Sequence, residues 1–141
     1  MPHWIFVISN TDKEFNSRMK KKEWPIFTFT SNRNRLLPED KVVFYKAGEY
    51  GKKFLGTATV SSKLMQRKEK IDFFVTLKDI DVWKKPISMY PLVSKLELIK
   101  NREQWGRHFQ GGIRTISKKD YETVLNVVPL LKKGKKNNSS S

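Results

Sequence analysis

Cysteine is absent from the 141 residues and histidine occurs twice. The first absence excludes disulfide staples, thiolate zinc sites and cysteine nucleophiles, and the second leaves little room for a multi-histidine metal centre. Long apolar runs are missing too. The longest, such as Trp4–Ile8 and Val127–Leu131, are about five residues, far below the roughly 20 that a membrane span requires. No basic stretch precedes a long apolar one at the start, so a cytoplasmic protein without membrane association is expected. Acids are scarce: 14 Asp plus Glu stand against 29 Lys plus Arg, a net charge of +15. An excess of that size points to polyanionic partners.

What is present is enough for a core. Hydrophobic residues make up 38% of the chain, with 9 Phe, 4 Trp and 4 Tyr, and the length suits one domain. Residues 132–141 carry four Lys and no acid, the composition of a disordered basic tail. Taking those four charges from +15 leaves +11 on residues 1–131, so the expected domain is basic in its own right.

Trp4–Ile8 is apolar on both parities, as in a strand buried on both faces. Thr11 with Glu14 makes a capping box, and a helix is expected to follow to about Lys22, with Phe15 and Met19 inward and Pro25 closing it. Lys41–Ala47 and Lys53–Ser62 read as a hairpin around Gly48–Gly51. Within its second run Phe54, Gly56, Ala58 and Val60 share one face. Ile71–Trp83 reads as a long strand whose apolar parity flips after Leu77, which predicts a β-bulge near Lys78 and Asp79. Further on, a short helix is expected at Pro91–Leu96, a strand fragment at Glu97–Ile99, and a turn at Gly111–Gly112. Ser117 caps a last helix whose stripe is Tyr121, Val124, Leu125 and Val128, ending at Pro129. The fold class expected is α+β: five or so strands, mostly antiparallel, curved into a small sheet or barrel with short helices around it.

Catalytic patterns are weak. Asp79 and Asp81 could share a strand face, but no third metal ligand lies near them in sequence. His108 has no fixed acid or nucleophile beside it, and neither glycine pair carries the Lys-Ser/Thr of a phosphate loop. Binding chemistry is better represented. Basic clusters at Arg18–Lys22, at Arg33 with Arg35, and at Arg102, Arg107 and Arg114 alternate with Trp24, Phe27, Phe29, Trp105 and Phe109. Cations contact phosphates at any sequence, and aromatic faces stack on unpaired bases. Trp24, before Pro25 and a basic loop, reads equally as a plug under that loop or as the wall of a pocket.

Ile99-Lys-Asn-Arg102, Trp105, His108-Phe109, Arg114 and Asp120-Tyr121 follow one another in an order that resembles the archaeal type of EVE domain. Trp4–Asn10, Trp24, Pro38-x-Asp40 before Val42–Tyr45, and Leu55-Gly56 extend the resemblance over about residues 3–128. It implies a PUA-like barrel of five or six strands flanked by helices, related to the YTH domains that read methylated adenine in RNA. It also implies a pocket for one flipped, modified base. Carried over residue by residue, Ser9 and Asn10 would meet the base edge, Trp24 would stack on it, and the Pro25 and Ile26 backbone would read it. Tyr45 and Lys46 would line the opposite side. The base-binding set is completed by His108, and Arg33, Arg35, Arg107 and Arg114 are the expected phosphate contacts. Trp24-Pro-Ile-Phe-Thr-Phe-Thr-Ser31 is more apolar, and about a residue shorter, than the family's segment there.

The expectation is therefore a monomeric, non-enzymatic nucleic-acid reader that needs no cofactor or metal and partners RNA or DNA. Two alternatives stand beside it. One is a generic RNA-binding module that works through its basic face. The other is an ASCH-like nucleoside hydrolase, which would need a carboxylate converging on Lys46 inside a cavity.

Overall fold

The computed structural model describes residues 2–8, 12–26, 33–48, 51–67, 73–92, 95–96 and 112–136. In chain order the elements are β1 (His3–Ile8), α1 (Asp12–Lys21), β2 (Glu23–Ile26), β3 (Lys41–Lys46), β4 (Lys53–Val60), β5 (Met65–Gln66), β6 (Phe73–Ser88), β7 (Ile113–Ile116) and α2 (Lys118–Lys136). Turns of 3-10 helix stand at Arg33–Arg35 and Tyr90–Leu92. The strands form one mixed sheet in the order β2-β6-β4-β3-β1-β7, with β5 beside β6.

β1 lies inside this sheet, parallel to β3 and antiparallel to β7. Both β1 and β3 are apolar on both parities because both faces are covered. Trp4, Phe6, Ile8, Val42 and Phe44 face a core shared with Phe15 of α1 and Trp24 and Ile26 of β2. Ile5, Val43 and Tyr45 face a second core shared with Leu92 and with Tyr121 and Val124 of α2.

The expected hairpin is β3 with β4. The predicted bulge is present as well: Asp79 has φ +51°, and the β4–β6 register shifts between Thr57 and Thr59. A second, larger shift lies between Phe54, opposite Ile87, and Gly56, opposite Val82. It places Phe54 in the α2-side core while Leu55, Ala58 and Val60 face the α1-side core, so the expected single inward face of β4 is broken. Gly56 is required at that point, because a Cβ there would collide with the backbone carbonyl of Asp81. The same bulge absorbs Pro86, so β6 runs on to Ser88 instead of stopping at Trp83.

Other expectations are corrected. α1 ends on Lys22 in the left-handed region (φ +57°), whose N–H donates to the Met19 carbonyl at 3.2 Å. The Lys22 carbonyl then accepts from the Leu77 N–H at 2.8 Å, which feeds the chain straight into β2. Trp24 and Pro25 therefore sit in a strand paired with β6, not at a helix end. β7 is not among the expected strands. Where a helix is expected at Pro91–Leu96, the described residues show a 3-10 turn over Tyr90–Leu92. Ser117 does cap α2, its Oγ accepting from the Asp120 N–H at 3.0 Å. α2, however, does not end at Pro129 but continues to Lys136. Glu97–Ile99 lies outside the described residues. Among those described, no helix is long and apolar enough to cross a membrane.

Candidate functional site

Trp24 is 1% exposed. Its indole stacks on Phe44 (centroids 5.1 Å apart, 27° between planes), lies 5.5 Å from Phe6 and meets the edge of Phe15 at 6.4 Å. A cation completes the set: the Arg18 guanidinium lies over the indole, 4.6 Å from the ring centroid. The α1 register explains the contact. Phe15, Arg18 and Met19 fall on one helical face, so the side chain of Arg18 is drawn inward with its apolar neighbours. Glu14, one turn earlier, accepts from Arg18 Nε at 3.2 Å. Burial lowers the Arg18 pKa, and the Glu14 bond and charge act against that lowering. The charge pattern of the sequence places Arg18 only in a basic helix end. The signal that points to its role is the i, i+3, i+4 recurrence of 15, 18 and 19.

The other expected site residues divide. Pro25 and Ile26 follow Trp24 along β2, with Ile26 buried in the same core. Lys46 ends β3, its Nζ donating to Asp12 Oδ1 at 2.7 Å, and Asp12 is 78% exposed. That acid, at the start of α1, is far from Lys46 in sequence and meets it only through the fold. Tyr45 is corrected: it is buried on the opposite face of the sheet from Trp24, T-shaped against Phe54 at 5.1 Å. Strand alternation makes this unavoidable once Phe44 faces Trp24. Burial pushes the Tyr45 hydroxyl pKa up, with a smaller contribution from Tyr90.

Arg114 is paired in register with Ile5, whose side chain faces the α2-side core, so it does not join the Trp24 face. Arg35 is exposed on its 3-10 turn, held there by buried Leu36, and Arg33 belongs to the same turn. Ser9, Asn10, Arg107 and His108 lie outside the described residues. Below the turn a buried acid holds the backbone in place. Asp40 Oδ2 accepts from Trp4 Nε1 at 2.9 Å and from the Leu37 N–H at 3.0 Å, which fastens the Pro38–Asp40 turn to β1.

A cavity of about 430 Å³ opens on the other face, between α2 and the strand ends, lined in part by His3, Lys41, Thr57, Thr59, Asp79 and Glu122. Of the expected base-binding residues that are described, Trp24, Pro25, Ile26, Tyr45 and Lys46, none lines it. One Lys against two acids there suits a polyanion poorly. Among the described residues no three metal-ligating side chains cluster.

With this architecture in view, the family comparison is decisive: the EVE domain profile matches residues 3–127. The chain belongs to the EVE domain family. No curated protein matches it. Solved structures share its fold, a curled, mixed half-barrel of PUA-like α+β type. A hypothetical protein from Leishmania major superposes with TM-score 0.68 at 19% identity, covering 90% of this chain and 94% of that one. Human THYN1, in complex with 5-methylcytosine-containing DNA, gives TM-score 0.63 at 12% identity, covering 90% and 97%. The YTH domain of Zygosaccharomyces rouxii MRB1, in complex with N6-methyladenosine RNA, gives 0.62 at 15%, covering 89% and 86%. At such identities what this EVE domain shares with them is the fold.

Proposed function

We propose that this EVE domain is a nucleic-acid-binding module that accepts one flipped, modified base, and that it reads rather than reacts. The observation that carries the reading is that two chains with this fold, alike over about nine-tenths of this one, hold methylated DNA and methylated RNA. The net charge of +15 supports it. The Lys46–Asp12 pair argues for binding over hydrolysis, since its carboxylate stands at the surface and not inside a cavity.

The Trp24 surroundings shape how a base would enter. With so little of the indole exposed, a base can stack on it only by taking a neighbour's place. Phe6 and Phe44 are fixed in the central strands, whereas Arg18 comes from outside on a flexible stem, with its side chain 11% exposed. In this reading the base replaces the guanidinium on the indole, and Arg18 turns toward the strand's phosphates. Arg35, on the same side of the fold as buried Leu36, supplies a further phosphate contact.

The test is anisotropy titration of single-stranded oligonucleotides carrying 5-methylcytosine or N6-methyladenine against their unmodified parents, over a range of salt. One modified strand should bind more tightly than its parent, and affinity should fall steeply as salt rises. Trp24→Phe, which keeps most of the packing but less stacking area, should lower the modified-to-unmodified ratio. Equal binding of every strand by the unaltered protein would favour the generic basic-face module instead.

A further inference from the structure

Tyr90 is the most exposed of the large hydrophobic side chains in the described structure, at 62%. It is not a loose residue. Met89 before it and Leu92 after it are buried in the α2-side core, and the Leu92 N–H closes the turn on the Met89 carbonyl at 2.8 Å. The Tyr90 N–H donates to Ser88 Oγ at 3.3 Å, and Pro91 stiffens the backbone that follows. The ring is thus held out in water by an anchored turn.

Among the described residues, lysines stand beside it. Lys52 Nζ lies 5.8 Å from the ring centroid and 3.5 Å from the hydroxyl. Lys53, exposed, is paired in register with Ser88, and the Met89 N–H donates to the Lys52 carbonyl at 2.8 Å, so both lysines are tied to the Tyr90 turn through the backbone. Lys84 and Lys85 stand exposed on the β6 bulge just before the turn, and from Val82 to Leu96 the sequence contains no acid. The patch sits at the end of the sheet where β1 and β3 finish: Lys53 is opposite Lys46, and the Ala47 N–H donates to the Ile8 carbonyl at 2.8 Å.

We infer that Tyr90 is a stacking platform of its own, which takes an unpaired base while Lys52 and Lys53 hold the adjoining phosphates. A rigid aromatic flanked by cations suits an unpaired nucleic-acid strand: each base offers a π-face and each linkage a negative charge. A duplex, whose bases are already stacked, leaves the ring without a partner. The inference rests on the nucleic-acid reading above but not on the Trp24 pocket.

It is tested with fluorescein-labelled single strands of about ten nucleotides, modified and unmodified, and with a duplex of the same sequence. Tyr90→Ala should weaken single-strand binding roughly five- to a hundredfold. Modified and unmodified strands should lose equally, so their ratio is kept. Tyr90→Phe should bind within about twofold of the unaltered protein, because the ring, not the hydroxyl, does the stacking. Duplex binding should not change. Equal single-strand affinity for Tyr90→Ala and the unaltered protein would overturn the platform, as would an equal loss on duplex. Absence of any oligonucleotide binding by the unaltered protein would overturn the nucleic-acid reading and the platform with it, and only that outcome removes both.

Discussion

On the α1 side of the sheet, Phe6, Phe15, Trp24 and Phe44 close on one another, and the Arg18 guanidinium lies over the indole. On the α2 side the aromatics are Tyr45, Phe54, Trp83 and Tyr121, and a cavity of about 430 Å³ remains at the strand ends. The same two strands, β1 and β3, floor both cores. The difference comes from the covers. A helix of 10 residues and strand β2 seat large rings deep into the first face. α2, joined to β7 by the Ser117 cap, lies over the second face with two hydroxyl-bearing rings below or beside it. The first face can admit a ligand only by giving up a contact, and the second is already open but is lined by acids as much as by Lys41. An aromatic residue near basic ones is therefore not enough to mark a nucleobase site; what covers the ring decides.

Removal of the Trp24 ring should have the largest effect. Trp24→Ala is a large-to-small change in a packed core and should cost about 3–5 kcal/mol, read from urea unfolding. A Trp24 that were only the wall of an open pocket would leave that variant as stable as its parent. A loss below about 1 kcal/mol would mean that the α1 face is not sealed as described.

Next comes Asp40, which joins the α1 face to the turn above it. Asp40→Ala leaves the indole N–H of Trp4 and the Leu37 N–H without their acceptor and should cost about 1–3 kcal/mol, with Asp40→Asn losing less because an amide oxygen can still accept. Equal losses in the two variants would show that the charge and not the hydrogen bonds matters.

The two faces should also differ at alkaline pH. Burial raises the Tyr45 and Tyr121 pKa values above the ordinary value of 10.0, so the folded state keeps protons that the unfolded state releases. Their contribution is complete below about pH 10 and is lost as pH rises from there toward the folded values. Stability should therefore decline above pH 10, and Tyr45→Phe should flatten that decline when denaturation is followed between pH 9 and pH 11, a range of about one unit either side of the ordinary tyrosine value. A decline unchanged in Tyr45→Phe would place its origin elsewhere.

The smallest effect is expected at Lys46. Its partner Asp12 is exposed, so Lys46→Ala should cost about 0.2–1 kcal/mol and less at high salt. A larger, salt-independent loss would mean that the pair is tied into the α1 core.

Legibility in the sequence followed the range of the interaction. The double-faced Trp4–Ile8 strand, the Lys41–Lys53 hairpin, the bulge at Asp79 and the Ser117 cap each rest on neighbours a few residues apart, and each is found in place. β7 is four residues long and alternates too briefly to stand out from a loop; it exists because β1 offers it an edge. The base-site carry-over was legible as a family pattern but not as geometry. Trp24 and Tyr45 both belong to it, yet they face opposite cores.

By itself, then, the sequence determined the fold family, the basic character, the two central strands and the points where the backbone must turn or bulge, because hydrophobic period, charge count and capping are local properties. The tertiary structure alone decided which face each aromatic would join. That choice depends on strand register: Phe44 opposite Gly56 and beside Phe6 commits it, and Trp24 with it, to the α1 core, and the next residue, Tyr45, must then point the other way. It also decided that Arg18 lies on Trp24 and that Tyr90 stands in water, since burial is settled by what packs above a side chain, and those neighbours come from distant parts of the chain.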